Sequence, residues 1–458
     1  MNKTLIILIL AAAAALILWK TLVPQRFLPP IVLITLDTTR ADHLSCYGHH
    51  RETSPHLDRL ADDGQLFKNA VAVSSWTLPT HASLFTGLYP STHGAHYSAE
   101  GNLTLSNAVE VGNQKLYSTF KANGLPESSV TLAEILRREG YATGGVGAGP
   151  WLKPIFGLAQ GFDYFDSNVN SVVGRRADEV TALGIKFLER YGDRPFFLFL
   201  NYFDPHGPYN PPPMYIEPIV SRQEFMARSR DPQAKMEIDQ ILYDAEIRFM
   251  DEQIGGIIKA LKEMGLYEDA WIIVMNDHGE LFGEHGLKGH GSSLYEGTVR
   301  CPFIVKWPAS WTPVPDPEAR CQQVDLLPTV VERLGLKLET AFEGEPLGKI
   351  SHPAVCELFK NQGAKGPRFD RSLKAIFAQQ YKLIVSSKQG DPDAGLFDLV
   401  LDPGENLDLT SRETEIAERL RTLLDKWQKT LHKPLDPRKI DAVDPETLRQ
   451  LEALGYGH

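Results

Sequence analysis

The sequence predicts an α/β fold: a doubly wound, mostly parallel sheet flanked by helices, followed by a small C-terminal antiparallel β subdomain. Three observations carry this. Residues 31–36, 195–200 and 270–275 are unbroken apolar runs of strand length, the pattern of strands buried on both faces. Stretches of helical period lie between them, the alternation that builds a parallel sheet. Past Leu336 the texture changes to short β-like runs separated by Gly, Asp and Pro turns.

Composition sets the outer limits. The chain has 458 residues, 43% hydrophobic and 23% charged, as expected of a folded protein with two or three domains. Its net charge of −11 argues against nucleic acid as a partner, because phosphate binding draws on clustered Lys and Arg. An anionic substrate then needs a local positive field, which bound metal ions supply. Cys46, Cys301, Cys321 and Cys356 form no C-x-x-C pair, which excludes a local zinc knuckle or dithiol motif and leaves ordinary thiols.

In chain order, residues 4–19 are uncharged and apolar between Lys3 and the Lys20 and Arg26 flank. The stretch suits a single N-terminal membrane anchor with Trp19 at an interface; the flanking charges leave its orientation open, and the bulk of the chain is expected outside the cytoplasm, periplasmic or at the cell surface. Cleavage as a signal peptide, with secretion, is the alternative. Retention is favoured because Leu16-Ile-Leu-Trp19 follows the alanine run directly. Residues 21–30 hold three prolines and read as a spacer. The domain expectation is therefore anchor and spacer over 1–28, a catalytic α/β domain over 29–340, and a small β-sheet subdomain with terminal helix and tail over 341–458.

The first strand ends in Asp37, the second is followed by Asp204 and His206, and the third by Asp277 and His278. Open α/β sheets place their ligands at these carboxyl ends. Any one such Asp would ordinarily start a turn or cap a helix, but three coinciding ends point to metal ligation. Between the first two strands, Thr77 lies two residues before Pro79 and ahead of apolar Ala82, Leu84 and Phe85. This reads as a turn feeding a helix with proline in its first turn. Free N–H groups there could hold an anion beside a hydroxyl nucleophile, although an isolated Thr in such a place is usually a plain cap.

Helices are expected over 130–139, 236–264 and 411–431, and a strand over 141–146. Residues 97–126 and 207–235 read as insertions, either lids or substrate contacts or plain surface excursions. Short strands are expected at 375–377, 381–385 and 396–399, and a tail with Pro434, Pro437 and Pro445 wraps the surface.

Several segments together resemble the sulfatase family of the alkaline phosphatase superfamily. Ile34-Thr-Leu-Asp-Thr-Thr-Arg-Ala-Asp-His-Leu44 is similar to the family's opening strand and metal loop, and Thr77-Leu-Pro-Thr-His-Ala-Ser-Leu-Phe-Thr-Gly87 falls on its nucleophile motif. Asn276-Asp-His-Gly-Glu280 resembles the second metal loop, with 288–302 the strand entry after it. Tyr381-Lys-Leu-Ile384 and 396–407 look like the small C-terminal sheet.

The resemblance implies an ester hydrolase, and the departures from it specify the chemistry. Formylglycine sulfatases need Cys or Ser where this chain has Thr77, and His81 replaces the motif's Arg. A secondary alcohol cannot be oxidised to that aldehyde. Asp37-Thr38 stands for the family's Asp-Asp, and Asp277-His278 for its Asp-Asn. The Gly-Lys-x-His segment of arylsulfatases has no counterpart in residues 145–150.

Exchanging a carboxylate for an imidazole converts an all-oxygen, calcium-like site into a mixed one that suits Zn or Mn better. Asp37, Asp277, His278 and the Thr77 oxygen would surround one divalent ion, and metal contact would activate Thr77 as nucleophile. Asp204, His206 and His290 are candidates for a second ion. Alternatively His206, His290 and Lys288 contact the anionic oxygens or protonate the leaving group, and His81 donates to the same anion. His43, His93 and His96 read as structural or surface residues.

The expected function is thus metal-dependent hydrolysis of a sulfate or phosphate ester on a small molecule, glycan or lipid. Alternatives are a phosphoethanolamine or other phosphoryl transferase of the cell envelope, or a non-catalytic sulfatase-like protein that binds an anionic glycan.

Overall fold

The structure is a computed structural model that describes residues 27–98, 103–111, 114–169, 174–338, 340–361, 368–436 and 438. Its strands in chain order are β1 (Ile31–Leu36), β2 (Gln65–Val71), β3 (Leu103–Val111), β4 (Gln114–Ala122), β5 (Ala142–Val146), β6 (Tyr164–Asp166), β7 (Phe196–Tyr202), β8 (Trp271–Asn276), β9 (Leu281–Phe282), β10 (Lys288–Gly289), β11 (Arg300–Lys306), β12 (Cys321–Gln322), β13 (Ala354–Leu358), β14 (Leu373–Ala378), β15 (Tyr381–Ser386) and β16 (Gly395–Asp398). The main sheet has eight strands in the order β12-β2-β11-β8-β1-β7-β5-β6. Within it only β11 runs against the others.

Strand β1 shows why the fold is layered. All six of its residues are buried. Ile31 and Leu33 join one apolar cluster, whereas Val32, Ile34 and Leu36 join the other, so the alternating side chains feed two cores. The first core takes up helices Thr77–Thr86, Leu132–Arg138 and Leu326–Arg333, and the second helices Ala177–Tyr191 and Lys235–Glu263. That is the expected doubly wound arrangement. Register then places the chemistry, because Leu36 lies opposite both Tyr202 and Asn276. The residues that leave these three strands emerge together at one edge.

The C-terminal sheet is antiparallel, in the order β13-β14-β15-β16, with helix Thr414–Thr430 packed on it. Its first strand was not anticipated from sequence. The 97–126 insertion likewise contains a hairpin, β3 with β4, where a loop was expected. Its Asn, Ser and Gly content obscured two runs flanking Gly112-Asn113, itself a hairpin signal. The 207–235 insertion carries a short helix, Arg222–Arg228. The tail begins to wrap as expected, with the Leu435 N–H donating to the Thr92 carbonyl at 2.8 Å. The candidate anchor and the tail beyond Arg438 lie outside the described residues. Among the described residues no helix is long and apolar enough to cross a membrane.

Candidate active site

Thr77 is the first residue of the helix Thr77–Thr86, which is buried along its whole length. Pro79 suits the first turn because the N–H it lacks has no partner there, and Gly87 closes the other end at φ 66°. The Thr77 Oγ1 lies 3.3 Å from His278 Nε2. His278 Nδ1 lies 2.9 Å from the Gly279 carbonyl, which only accepts, so Nδ1 carries the proton. Nε2 therefore presents its lone pair to the Thr77 hydroxyl. Burial pushes His278 down to about 4, keeping the ring neutral at physiological pH.

Beside this pair the strand ends bring in two carboxylates. Asp277 Oδ1 accepts from the backbone N–H groups of Thr38, at 3.1 Å, and His278, at 2.8 Å. The first contact needs Thr38 in the left-handed region at φ 53°, a strained conformation for a β-branched residue. Tyr243 holds it there by donating its hydroxyl proton to the Thr38 carbonyl at 2.8 Å. Asp277 Oδ2 and both oxygens of Asp37 are buried without a hydrogen-bond partner among the described residues.

Burial, and then the charge of Asp277, hold the Asp37 carboxyl well above its usual range. Burial acts on Asp277 too, but His278, His81 and the two N–H donors outweigh it and keep that carboxyl low. One ligand atom each from Asp37, Asp277 and His278 lie within 4.8 Å of one another. One carboxylate oxygen each from Asp37 and Asp277 and one imidazole nitrogen of His278, all buried and clustered, fit a divalent cation.

His206 and His290 form the more open side. The His206 ring stacks on Phe203 at 4.4 Å, and its Nδ1 is 2.7 Å from the Gly207 carbonyl. Its ring centroid is 5.1 Å from that of His290, which is in turn 4.4 Å from that of His278. Glu280, which sequence reasoning passed over, lies against His290 Nδ1.

Three further candidates are engaged in contacts of their own. Asp204 Oδ1 accepts from the Ala177 N–H at 3.0 Å, at the start of helix Ala177–Tyr191, and burial pushes the carboxyl up to about 7. It acts as a helix cap, the ordinary use of an Asp after a strand. Lys288 is exposed, 4.0 Å from Asp239. His81 is buried with both ring nitrogens engaged, Nδ1 2.9 Å from the Thr77 carbonyl and Nε2 3.1 Å from Thr35 Oγ1. It therefore braces the Thr77 backbone. His43 pairs with Asp244 at 2.6 Å, His93 with Ser83 at 3.0 Å, and His96 stacks on Phe359.

Comparison with known proteins adds a family. A model described as Sulfatase matches residues 29–336. An ulvan-active sulfatase from Formosa agariphila is 28% identical over 363 residues, covering 70% of this chain and 65% of its own length, just under two thirds. An arylsulfatase from Clostridium perfringens is 24% identical, covering 92% of this chain and 97% of its own. Among solved structures, the phosphonate monoester hydrolase of Agrobacterium radiobacter superposes with a TM-score of 0.65 at 21% identity, over 87% of this chain and 96% of its own.

Proposed function

The chain belongs to the sulfatase family of ester hydrolases, and from that premise we propose that it cleaves a sulfate or phosphate ester through Thr77 as nucleophile beside a divalent metal. The observation that carries this is the Thr77 hydroxyl, 3.3 Å from His278 Nε2, beside three buried oxygens of Asp37 and Asp277 that have no hydrogen-bond partner among the described residues. Asp37, Asp277 and His278 would hold the ion, and their mixed oxygen and nitrogen donors suit zinc or manganese better than calcium. Bound there, it supplies Lewis-acid stabilisation of charge on the transferred group and lowers the pKa of a neighbouring hydroxyl.

The chain's own residues do the rest. Thr77 Oγ1 attacks sulfur or phosphorus, the bond to the alcohol breaks, and a covalent Thr77 ester forms that water releases. His81 and Thr80 fix the nucleophile by bonding to its carbonyl, at 2.9 Å each. His206 and His290 face the anionic oxygens and the leaving group from the open side. Because Thr cannot become formylglycine, this route differs from that of the formylglycine sulfatases. Residues 4–19 would tether the enzyme to a membrane with its catalytic part exported, which fractionation of cells expressing the full chain tests.

The deciding experiment combines metal analysis of the purified protein with turnover of an aryl sulfate, an aryl phosphate and an aryl phosphodiester. Metal-dependent turnover that chelation abolishes is expected. Absence of both metal and turnover overturns the proposal in favour of an anionic-glycan binding protein. Transfer of a labelled headgroup to lipid or sugar, with none to water, identifies a transferase instead.

A further inference from the structure

The hairpin after the second metal loop positions one more residue. Strands β9 and β10 pair Leu281 with Gly289 and Phe282 with Lys288. One step further along that register, Glu280 faces His290. The Glu280 side chain is only 6% exposed, and among the described residues its carboxylate has one polar partner, His290 Nδ1, 3.4 and 3.3 Å from its two oxygens. A buried carboxylate needs a donor, and it can only accept, so Nδ1 carries a proton. Nε2 is then the nitrogen left for a ligand, on a ring 18% exposed at the open side of the site.

We propose that Glu280 is a positioning residue for ester cleavage. Accepting from Nδ1–H, it pairs with the imidazolium form of His290 and holds its ring, so that Nε2–H delivers a proton to the departing alcohol oxygen and leaves the neutral Nδ1–H tautomer. Thr77 enters the step as the alkoxide, its proton already given up to solvent; as its Oγ1 bond to phosphorus or sulfur forms, the bond to the alcohol oxygen breaks, and the proton passes from His290 to that oxygen. This rests on the Thr77 chemistry proposed above. Glu280 is not one of the three residues, Asp37, Asp277 and His278, whose ligand atoms cluster, so metal content is measured alongside turnover.

The test uses full-length chain carrying Glu280→Ala or Glu280→Gln and two esters of the same acid. One is a p-nitrophenyl ester, whose leaving group departs unaided, and the other a simple alkyl ester, which needs the proton. Glu280→Ala should lower kcat on the alkyl ester by about 100-fold or more, and on the nitrophenyl ester by less than about fivefold, at unchanged KM and metal content. Glu280→Gln keeps an acceptor oxygen and should fall between wild type and Glu280→Ala. Equal losses on both esters, or loss of metal, overturn the proposal, as does a 15N resonance of His290 Nδ1 that ignores Glu280→Ala. Failure of the parent reading is distinct, since the wild-type chain would then turn over neither ester.

Discussion

Residue by residue, the site separates groups that react from groups that hold them. Thr77→Ala should lower turnover at least about 1,000-fold with metal content intact, whereas Thr77→Ser keeps the oxygen and should stay within about tenfold of wild type. Single-turnover assays with metal analysis check both. Asp37 makes a second prediction, because its oxygens are buried without a hydrogen-bond partner among the described residues and the charge of Asp277 acts on them. In chelator, Asp37→Asn removes that repulsion and should raise Tm by about 1–3 °C, while the stabilisation wild type gains from added metal should vanish. Thermal scans with and without metal read both effects. These residues were legible in sequence because each follows an apolar run or opens a buried helix. Asp204 carries the same signature, and only the position of the Ala177 N–H, 27 residues away, reveals it as a cap. Glu280 stayed hidden because its meaning depends on a two-residue ladder too short to leave a periodic pattern.

Elements place these residues, and the contacts that hold elements together have their own pH dependence. Asp325 ties three segments, accepting from the Gln322 N–H at 2.8 Å, the Glu345 N–H at 2.9 Å and His352 Nε2 at 2.8 Å. Burial opposes charging of His352, but its hydrogen bond to Asp325 and that residue's charge prevail, pushing it up to about 9 from 6.5. The folded state thus binds this proton more tightly than the unfolded one. The contribution is complete below pH 6.5 and is lost as pH rises through 9, amounting to about 3 kcal/mol at most. His352→Gln should flatten urea-unfolding stability across that window relative to wild type. The long helix Lys235–Glu263 and the strands buried on both faces were legible from period and apolar runs. Strand β13 was not, since Ala354-Val-Cys-Glu-Leu358 is short and gains its identity from pairing with β14.

At the scale of the whole molecule, the cores cross the expected boundary at residue 340. Cys356, Ala375 and Phe397 belong to the same apolar cluster as Phe67, Phe85 and Phe303 of the α/β part, while Val73, Tyr89 and Val324 join Leu383, Leu420 and Trp427 in another. A buried ion group crosses it as well. Lys382 on β15 is fully buried, its Nζ 3.0 Å from Glu296 and 2.8 Å from Glu405. Glu405 in turn accepts from the Glu296 N–H at 2.6 Å and sits at φ 54°, backbone strain tolerated where surrounding contacts over-determine it. Glu296 opens the short helix that runs directly into β11. Lys382→Met should therefore leave two carboxylates uncompensated in the interior and cost about 3–5 kcal/mol, lowering Tm without creating a second transition. Chain ending at residue 340 would expose one side of both shared clusters and should be insoluble or unfolded by circular dichroism. A soluble, metal-binding fragment ending there, or two resolved transitions in calorimetry of the intact chain, would show that the C-terminal sheet is an appendage. The shared cores instead make it part of the frame on which Thr77 and the loops carrying Asp37, Asp277 and His278 are held.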